Sequence, residues 1–170
     1  MAIIRVRSAD REPPQRDVQH TRRRVEGVVG EARTWLDRER DAVWATKLLI
    51  IRVDALGDIR HFGDCLAQHE RHVGELARWI GERGVTLDPV ALCEPSFATP
   101  EPHTIGALCT SAAALYAMEA LELARLARYR VQPRRPRQPA LGQLLEAHAG
   151  DARDRLAWLR RRLRGDPEPS

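Results

Sequence analysis

The sequence predicts an all-α protein in which four amphipathic helices form a single bundle. Apolar residues recur at spacings of three and four residues over four long stretches, which is the period of a helix with one buried face. Charged residues make up 31% of the 170 residues and aromatic residues only 5%, a mixture that suits solvated helices better than a β-sandwich. Breaks rich in glycine and proline separate the four stretches.

The first two helices are predicted at about residues 21–53 and 58–83. Gly57 lies in the short break between them, so we expect the two helices to run antiparallel. Gly84 is expected to end the second helix. The inward stripe of the first helix is Val25, Val28, Ala32, Trp35, Glu39, Ala42, Thr46, Leu49 and Val53. The inward stripe of the second helix is Ile59, Phe62, Leu66, His69, Val73, Leu76 and Ile80.

The segment 85–102 is rich in proline and is not expected to continue a helix. It is long enough to cross from one end of a bundle to the other, which would make the second and third helices run in the same direction. The third helix is predicted at about 103–130 and the fourth at about 140–164. The inward stripe of the third is Ile105, Leu108, Ala112, Leu115, Glu119, Glu122, Leu126 and Tyr129. The inward stripe of the fourth is Leu141, Leu145, His148, Ala152, either Arg155 or Leu156, Leu159 and Leu163.

We therefore predict one domain at residues 20–165. Residues 1–19 are charged and interrupted by two prolines, and they are expected to form a flexible tail. Residues 166–170 are expected to form a short loose tail. The longest apolar run, Leu48 to Ile51, is far too short to span a membrane, and the first residues lack the apolar run of a signal peptide. A cytoplasmic, soluble protein is expected.

Composition excludes several classes of function. The three cysteines have no CxxC spacing, so neither a disulfide framework nor a zinc module is expected. Cys65 and Cys109 are expected to fill core space, and Cys93 is the candidate for an exposed thiol. The net charge of +4 permits an acidic partner. The arginine runs at 134–137 and 160–164 lack interleaved aromatic residues, so nucleic-acid binding is not expected.

Polar residues interrupt each inward stripe near the middle of its helix. If the helices align end to end, these residues meet in one layer: Glu39, His69, His72, Glu119, Glu122, His148 and Arg155. Burying a lone carboxylate costs several kcal/mol, so unpartnered acids should not recur there by accident. Glutamate and histidine are good ligands for iron, manganese or zinc.

Readings without a metal stay open for the same residues. The rings of His69 and His72 would then be hydrogen-bonded to neighbouring helices, one inward and one at the boundary. Glu119 and Glu122 would be one core acid and one boundary acid, and Glu39 would form a buried pair with Arg155. A single metal ion held by His72, His148 and Asp151 is a further alternative. Two other acids of the second helix, Glu70 and Glu75, are expected to face solvent.

The order of elements and four phrases resemble the ferritin-like superfamily of four-helix bundles. The phrases are WLDRERDAV, LAQHERHVGEL, LYAMEALELARLARY and GDARDRLAWLRRRL. In metal-binding members of that superfamily, helices one and three each give a glutamate, and helices two and four each give a Glu-x-x-His pair. The resemblance implies that Glu39 is the first glutamate, that His72 is the second-helix histidine and that Glu119 or Glu122 is the third-helix ligand.

The resemblance fails on the second and fourth helices. His69 stands at the second-helix glutamate position, while Ala152 and Arg155 stand at the fourth-helix glutamate and histidine positions. Alanine has no ligand atom and arginine carries a fixed positive charge. The leading hypothesis is a non-catalytic bundle without a cofactor, whose vestigial dimetal site is a buried network of Glu39, His72, Glu119, Glu122, His148 and Arg155.

The rival hypothesis is a metal-dependent oxidase or an iron- or manganese-handling protein. Its reduced ligand set would be Glu39, His69, His72, Glu119 and Glu122. Under either hypothesis a homodimer is expected, because Trp44, Trp79, Leu48, Ile50 and Ile51 exceed what one inward seam needs. The sequence indicates no other protein partner, no substrate and no pathway.

Overall fold

The computed structural model describes the backbone of residues 15–99, 103, 105, 107, 110–131 and 138–165. These residues contain helices and no strand, which confirms the all-α prediction. The four long helices are α1 (Gln15–Ile50), α2 (Leu56–Gly81), α4 (Ser111–Val131) and α5 (Pro139–Arg164), with a short helix α3 (Pro89–Leu92) between α2 and α4. Among the described residues, no helix combines the length and the apolar character needed to cross a membrane.

The helix ends differ from the predicted ones for identifiable reasons. Helix α1 begins at Gln15 and not near residue 21, because no helix breaker stands between these positions. Residues 1–14 and 166–170, where most of both predicted tails fall, lie outside the described residues. The third helix was predicted from residue 103. His103 and Ile105 have helical backbone, and continuous helix is described from Ser111.

Helix α3 is a short separate helix within segment 85–102, which was predicted only to be unable to continue a helix. Proline is tolerated in the first turn of a helix, where its missing N–H has no partner to lose. Pro89 occupies that position, and the Asp88 carboxylate accepts a hydrogen bond from the Val90 N–H at 2.9 Å. Gly84 at φ 78° follows α2 and Gly165 at φ 73° ends α5, in the left-handed conformation that glycine adopts without strain.

Two large apolar clusters form most of the core, and a third, smaller cluster consists of Leu126, Ala152 and Leu156. The first joins the first half of α1 to the last turns of α2 and the first turns of α5. Its buried members are Val28, Val29, Ala32, Trp35, Leu36, Leu76, Trp79, Ile80, Leu141 and Leu145. The second joins the end of α1 to the first turns of α2 and α4 and the end of α5. Its buried members are Ala45, Leu49, Val53, Phe62, Cys65, Ile105, Ala114, Leu115, Met118 and Leu159. Each fully buried leucine or phenylalanine stabilises the fold by roughly 1.5–3 kcal/mol.

Buried Asp41 fastens the connection after α3 to helix α1. Its carboxylate accepts backbone N–H bonds from Ser96 at 2.7 Å, Phe97 at 2.8 Å and Thr99 at 2.8 Å, and hydroxyl bonds from Ser96 and Thr99. One turn further along α1, the Trp44 indole donates to the Cys93 carbonyl at 3.1 Å. The backbone at Phe97 adopts a left-handed φ of 54° in this segment.

Some residues predicted to point inward do not. Ile59 is 37% exposed, and Ala112 is exposed as well.

Most of the apolar residues from which a dimer was predicted pack against other residues of the same chain. Trp79 is buried, and the Arg83 guanidinium lies 3.3 Å from its ring centroid. Ile51 remains, with 74% of its surface exposed.

Candidate functional site

A layer of buried polar side chains lies between the two large apolar clusters. Glu39 comes from α1, His69 and His72 from α2, Glu122 and Arg125 from α4, and His148 and Arg155 from α5. Each of the seven is at most 3% exposed. Four helices therefore contribute charged or titratable groups to one interior layer, and each group needs a partner there because burial without one is costly.

The Glu39 carboxylate lies at the centre of the layer. Its Oε2 is 2.8 Å from Nδ1 of His69 and 3.3 Å from Nδ1 of His72. Its Oε1 accepts a hydrogen bond from the Tyr129 hydroxyl at 3.1 Å, and the Tyr129 ring stacks on Trp35 with centroids 4.4 Å apart. Burial by itself raises the pKa of Glu39, but the hydrogen bonds from His69 and His72 bring that pKa well below 4.5. Glu39 is therefore ionised; the Tyr129 hydroxyl and the His69 ring donate to it, and Nδ1 of His72 lies within hydrogen-bonding distance.

His69 bridges Glu39 and Arg125. Nε2 of the ring lies 3.4 Å from Nη1 of Arg125, and a guanidinium can only donate. Nε2 is therefore the acceptor, which leaves the ring proton on Nδ1, where it is donated to Glu39. Burial lowers the pKa of His69 to about 4, and the positive charges of Arg155 and Arg125 act in the same direction. His69 is thus a neutral ring with a defined tautomer.

The Glu122 carboxylate accepts hydrogen bonds from two arginines, Arg125 and Arg155. The Arg125 guanidinium donates to Oε1 from one helical turn away. Arg155 donates to Oε1 through Nε at 3.2 Å and to Oε2 through Nη2 at 3.4 Å, and its Nη1 donates to Gln68 at 2.9 Å. Burial raises the pKa of Glu122, but Arg125 and Arg155 together bring it below 4.5. Burial by itself lowers the pKa of Arg155, but the charge of Glu122 outweighs burial and raises that pKa above its ordinary value, so both members of the pair stay charged.

His72 and His148 lead from this layer to the surface. Their rings stack with centroids 3.7 Å apart and planes 15° apart. Nε2 of His72 is 2.9 Å from the Asp151 carboxylate, and Nε2 of His148 is 2.9 Å from the Glu75 carboxylate. The side chains of Asp151 and Glu75 are 29% and 31% exposed, so each histidine is connected to solvent through its own acidic partner. Burial lowers the pKa of His148, and the neighbouring His72 acts in the same direction.

The structure brings most of the predicted site residues together and separates one of them. Glu39, His69, His72, Glu122, His148 and Arg155 lie in the layer. Glu119 does not, because it precedes Glu122 by three residues, which turns it about 60° around the helix. It accepts a hydrogen bond from Arg160 at 3.0 Å near the surface of α5.

Other predictions about the layer need correction. The reading without a metal placed one of the His69 and His72 rings inward and the other at the boundary, but both are buried. Glu75, expected in solvent, is the partner of His148. Of the three acids considered as partners of Arg155, which were Glu39, Glu119 and Glu122, the structure pairs it with Glu122, whereas the direct partners of Glu39 are His69, His72 and Tyr129.

Arg125 and the Tyr129 hydroxyl were missed as members of the layer. Arg125 lies outside the stripe, yet its spacing of three from Glu122 is a recognised helix-surface pairing that could have indicated it. Tyr129 was expected inward as an apolar residue, and nothing in the sequence indicated that its hydroxyl meets Glu39.

The layer offers ligand atoms for one metal ion at most. Glu39, His69 and His72 each provide one such atom, and these three atoms lie within 4.8 Å of one another. A second ion would have to be held on the side of Glu122. There, Ala152 has no ligand atom, and the guanidinium groups of Arg125 and Arg155 already bind the carboxylate. The residues present therefore do not fit the two-metal centre that the resemblance implies.

Comparisons with known proteins gave no relative for this chain. No protein-family model matches it, and neither curated proteins nor solved structures gave a significant match. The buried layer is therefore interpreted from its own residues and geometry.

Proposed function

We propose that this chain is a non-catalytic, ferritin-like four-helix bundle with a structural or interaction role. In this proposal α1, α2, α4 and α5 are the bundle helices. A buried network of glutamate, histidine and arginine takes the place of a dimetal site. The protein would present helix faces to a partner and would carry out no reaction in its core.

The packing of the helices supports the bundle part of the proposal. Leu49, Phe62, Leu115 and Leu159 come from α1, α2, α4 and α5 and belong to one core cluster. Phe62 and Leu115 each lie near the start of their helix, so α2 and α4 run in the same direction. A chain that leaves the end of α2 must then travel the length of the bundle before α4 begins, as a crossover connection does.

The observation that carries the functional part is the pair of arginines on Glu122. The four groups of fixed charge in the buried layer are the carboxylates of Glu39 and Glu122 and the guanidinium groups of Arg125 and Arg155. Their charges sum to zero, and each carboxylate is hydrogen-bonded. Removing one partner from such a buried ion pair costs about 3–5 kcal/mol. A divalent cation would add positive charge to a layer that is already compensated.

The second candidate function is binding of a single iron or manganese ion. The three ligand atoms of Glu39, His69 and His72 favour it. Two features oppose it: Nε2 of His69 accepts from Arg125, and Nδ1 of His69 carries the proton donated to Glu39. A metal would have to displace that proton and work against two nearby arginines.

Elemental analysis of untagged protein, purified without chelator and then exposed to ferrous iron or manganese, tests the two candidates. We expect no stoichiometric iron or manganese in the native chain. In a triple variant, Ala152→Glu and Arg155→His restore the two fourth-helix ligands, and Arg125→Leu removes the second guanidinium beside Glu122. This variant should bind metal more tightly than the native chain.

A matched control is Arg153→His on the exposed side of α5, which should leave metal content unchanged. Near one metal ion per native chain, lost in His72→Gln, would overturn the first proposal in favour of the second. Metal that persists in His72→Gln would be bound outside the layer and would count for neither candidate.

A further inference from the structure

The outer face of α4 is apolar along nearly the whole helix. Five exposed residues form it: Ala112, Tyr116, Ala120, Leu123 and Ala127. Their spacings of four, four, three and four residues place them on one helical stripe. Tyr116 is 59% exposed and Leu123 is 42% exposed, so the two large side chains of this stripe are open to solvent.

No charged residue stands at a stripe position between Ala112 and Ala127; Glu119 lies at the edge of the stripe, and the exposed Arg130 follows Ala127 by three residues and ends the apolar part. Glu122 and Arg125 are buried, and Glu119 is turned towards Arg160 of α5. A surface helix ordinarily presents charged and polar residues to water, so this inverted distribution indicates a face that another apolar surface covers.

The order of residues along the stripe points to a second copy of this chain as that surface. When two identical helices pack antiparallel about a two-fold axis, each residue faces its mirrored position. With the axis beside Ala120, Tyr116 opposes Leu123 of the second copy and Ala112 opposes Ala127 of the second copy. Large side chains then meet large ones and small meet small, and the axis passes between Ala120 and Glu119, whose carboxylate is held by Arg160 of α5.

We infer that the stripe from Ala112 to Ala127 is a two-fold, antiparallel interface between two copies of this chain. The absence of charge on the stripe gives an acidic or basic partner nothing to pair with, whereas the mirrored order suits the stripe itself. A contact made by one helix per copy lies at the low end of specific interfaces, below about 1,200 Å² in total, so the dimer is reversible. This inference is independent of the proposed function, because Glu122 and Arg125 lie on the opposite side of α4.

Sedimentation of the full chain over the micromolar range tests the interface. We expect a monomer–dimer equilibrium whose dissociation constant rises at least about 100-fold in Leu123→Glu, because two carboxylates would be buried without partners. Leu123 is partly exposed in the monomer, so thermal melting followed by circular dichroism should show that the variant still folds. Ile51→Glu, at a site 74% exposed at the end of α1, is the matched control and should leave the dissociation constant unchanged.

Cross-linking tests the position of the axis separately. With the exposed Cys93 replaced by serine, Ala120→Cys should give a disulfide-linked dimer on mild oxidation, because the two introduced thiols meet at the axis. Ile51→Cys in the same background should remain unlinked. A chain that stays monomeric at every concentration would overturn the inference, as would a dimer that survives Leu123→Glu unchanged.

Discussion

Nη1 of Arg125 lies 3.4 Å from Nε2 of His69, and this contact assigns the protons of the buried layer. Because arginine only donates, His69 must accept at Nε2 and donate from Nδ1 to Glu39. The hydrogen bonds therefore form a chain in which Arg125 donates to His69 and His69 donates to Glu39. The layer needs no added proton or ion at this point to satisfy its hydrogen bonds.

We expect His69 to be observed as the neutral Nδ1–H tautomer at pH 6. Its pKa is about 4, so the ring stays uncharged in mildly acidic solution. Long-range ¹H–¹⁵N correlation spectra of histidine-labelled protein distinguish the two neutral tautomers and the imidazolium ion. The spectrum of His69→Asn identifies which signals belong to this ring. An Nε2–H tautomer, or a ring already charged at pH 6, would contradict the assignment.

The free energy of unfolding should fall as the pH is lowered from about 6.5 towards 4. The pKa of His69 is lower in the folded chain than its ordinary value of 6.5, so between these values the unfolded chain binds more protons. His69 alone accounts for a loss of roughly 3 kcal/mol over this interval. His148 acts in the same direction because its pKa is also lowered. Urea unfolding at several pH values measures the slope.

The variant His69→Asn provides the control for that slope. Asparagine donates a hydrogen bond but does not titrate, so the loss of stability between pH 6.5 and 4 should become smaller. Below pH 4.5 the carboxylates take over, since Glu39 and Glu122 both have lowered pKa values and lose their contribution as they are protonated. An unchanged slope in His69→Asn would contradict the role given to this ring.

The helical period made the fold class and most of the layer predictable from the sequence. Glu39, His69 and Glu122 interrupt apolar stripes, and for these three residues the stripe position correctly predicted burial. Partners were harder to predict, because they depend on the rotation of each helix and on side-chain length. Arg155 was expected inward, but its choice of Glu122 over Glu39 depends on how α4 is turned towards α5. Asp41 is adjacent to stripe residue Ala42, and nothing in the sequence indicated that its carboxylate accepts hydrogen bonds from the backbone of residues 96–99.

Replacing Glu122 should destabilise the chain far more than replacing its neighbour Glu119. Glu122→Leu leaves Arg125 and Arg155 buried beside each other without their carboxylate, at a cost of about 3–5 kcal/mol. Glu119→Leu removes a half-exposed pair with Arg160 and should cost less than about 1 kcal/mol. Chemical denaturation of both variants measures the difference.

A triple variant distinguishes the two causes that could make Glu122→Leu costly. If the cost comes from unpaired arginines, Glu122→Leu with Arg125→Met and Arg155→Met should recover to within about 1 kcal/mol of the native chain or exceed it. If the cost comes from a cavity or from altered helix packing, the triple variant should remain as unstable as the single one. That second outcome would contradict the charge-compensated description of the layer.

Asp41→Asn should loosen the connection after α3 and destabilise the chain by about 2–4 kcal/mol. The Asp41 carboxylate accepts from the N–H groups of Ser96, Phe97 and Thr99 through both oxygens, whereas an amide replaces one oxygen with a donor that faces those N–H groups. Amide hydrogen exchange at residues 96–99 should accelerate more than exchange in α2. Asp37→Asn, one turn earlier on α1 and paired with Arg40, is the matched control and should change stability by less than about 1 kcal/mol. Equal effects of the two substitutions would show that Asp41 acts as an ordinary surface acid, and the connection would then need another source for its fixed path along α1.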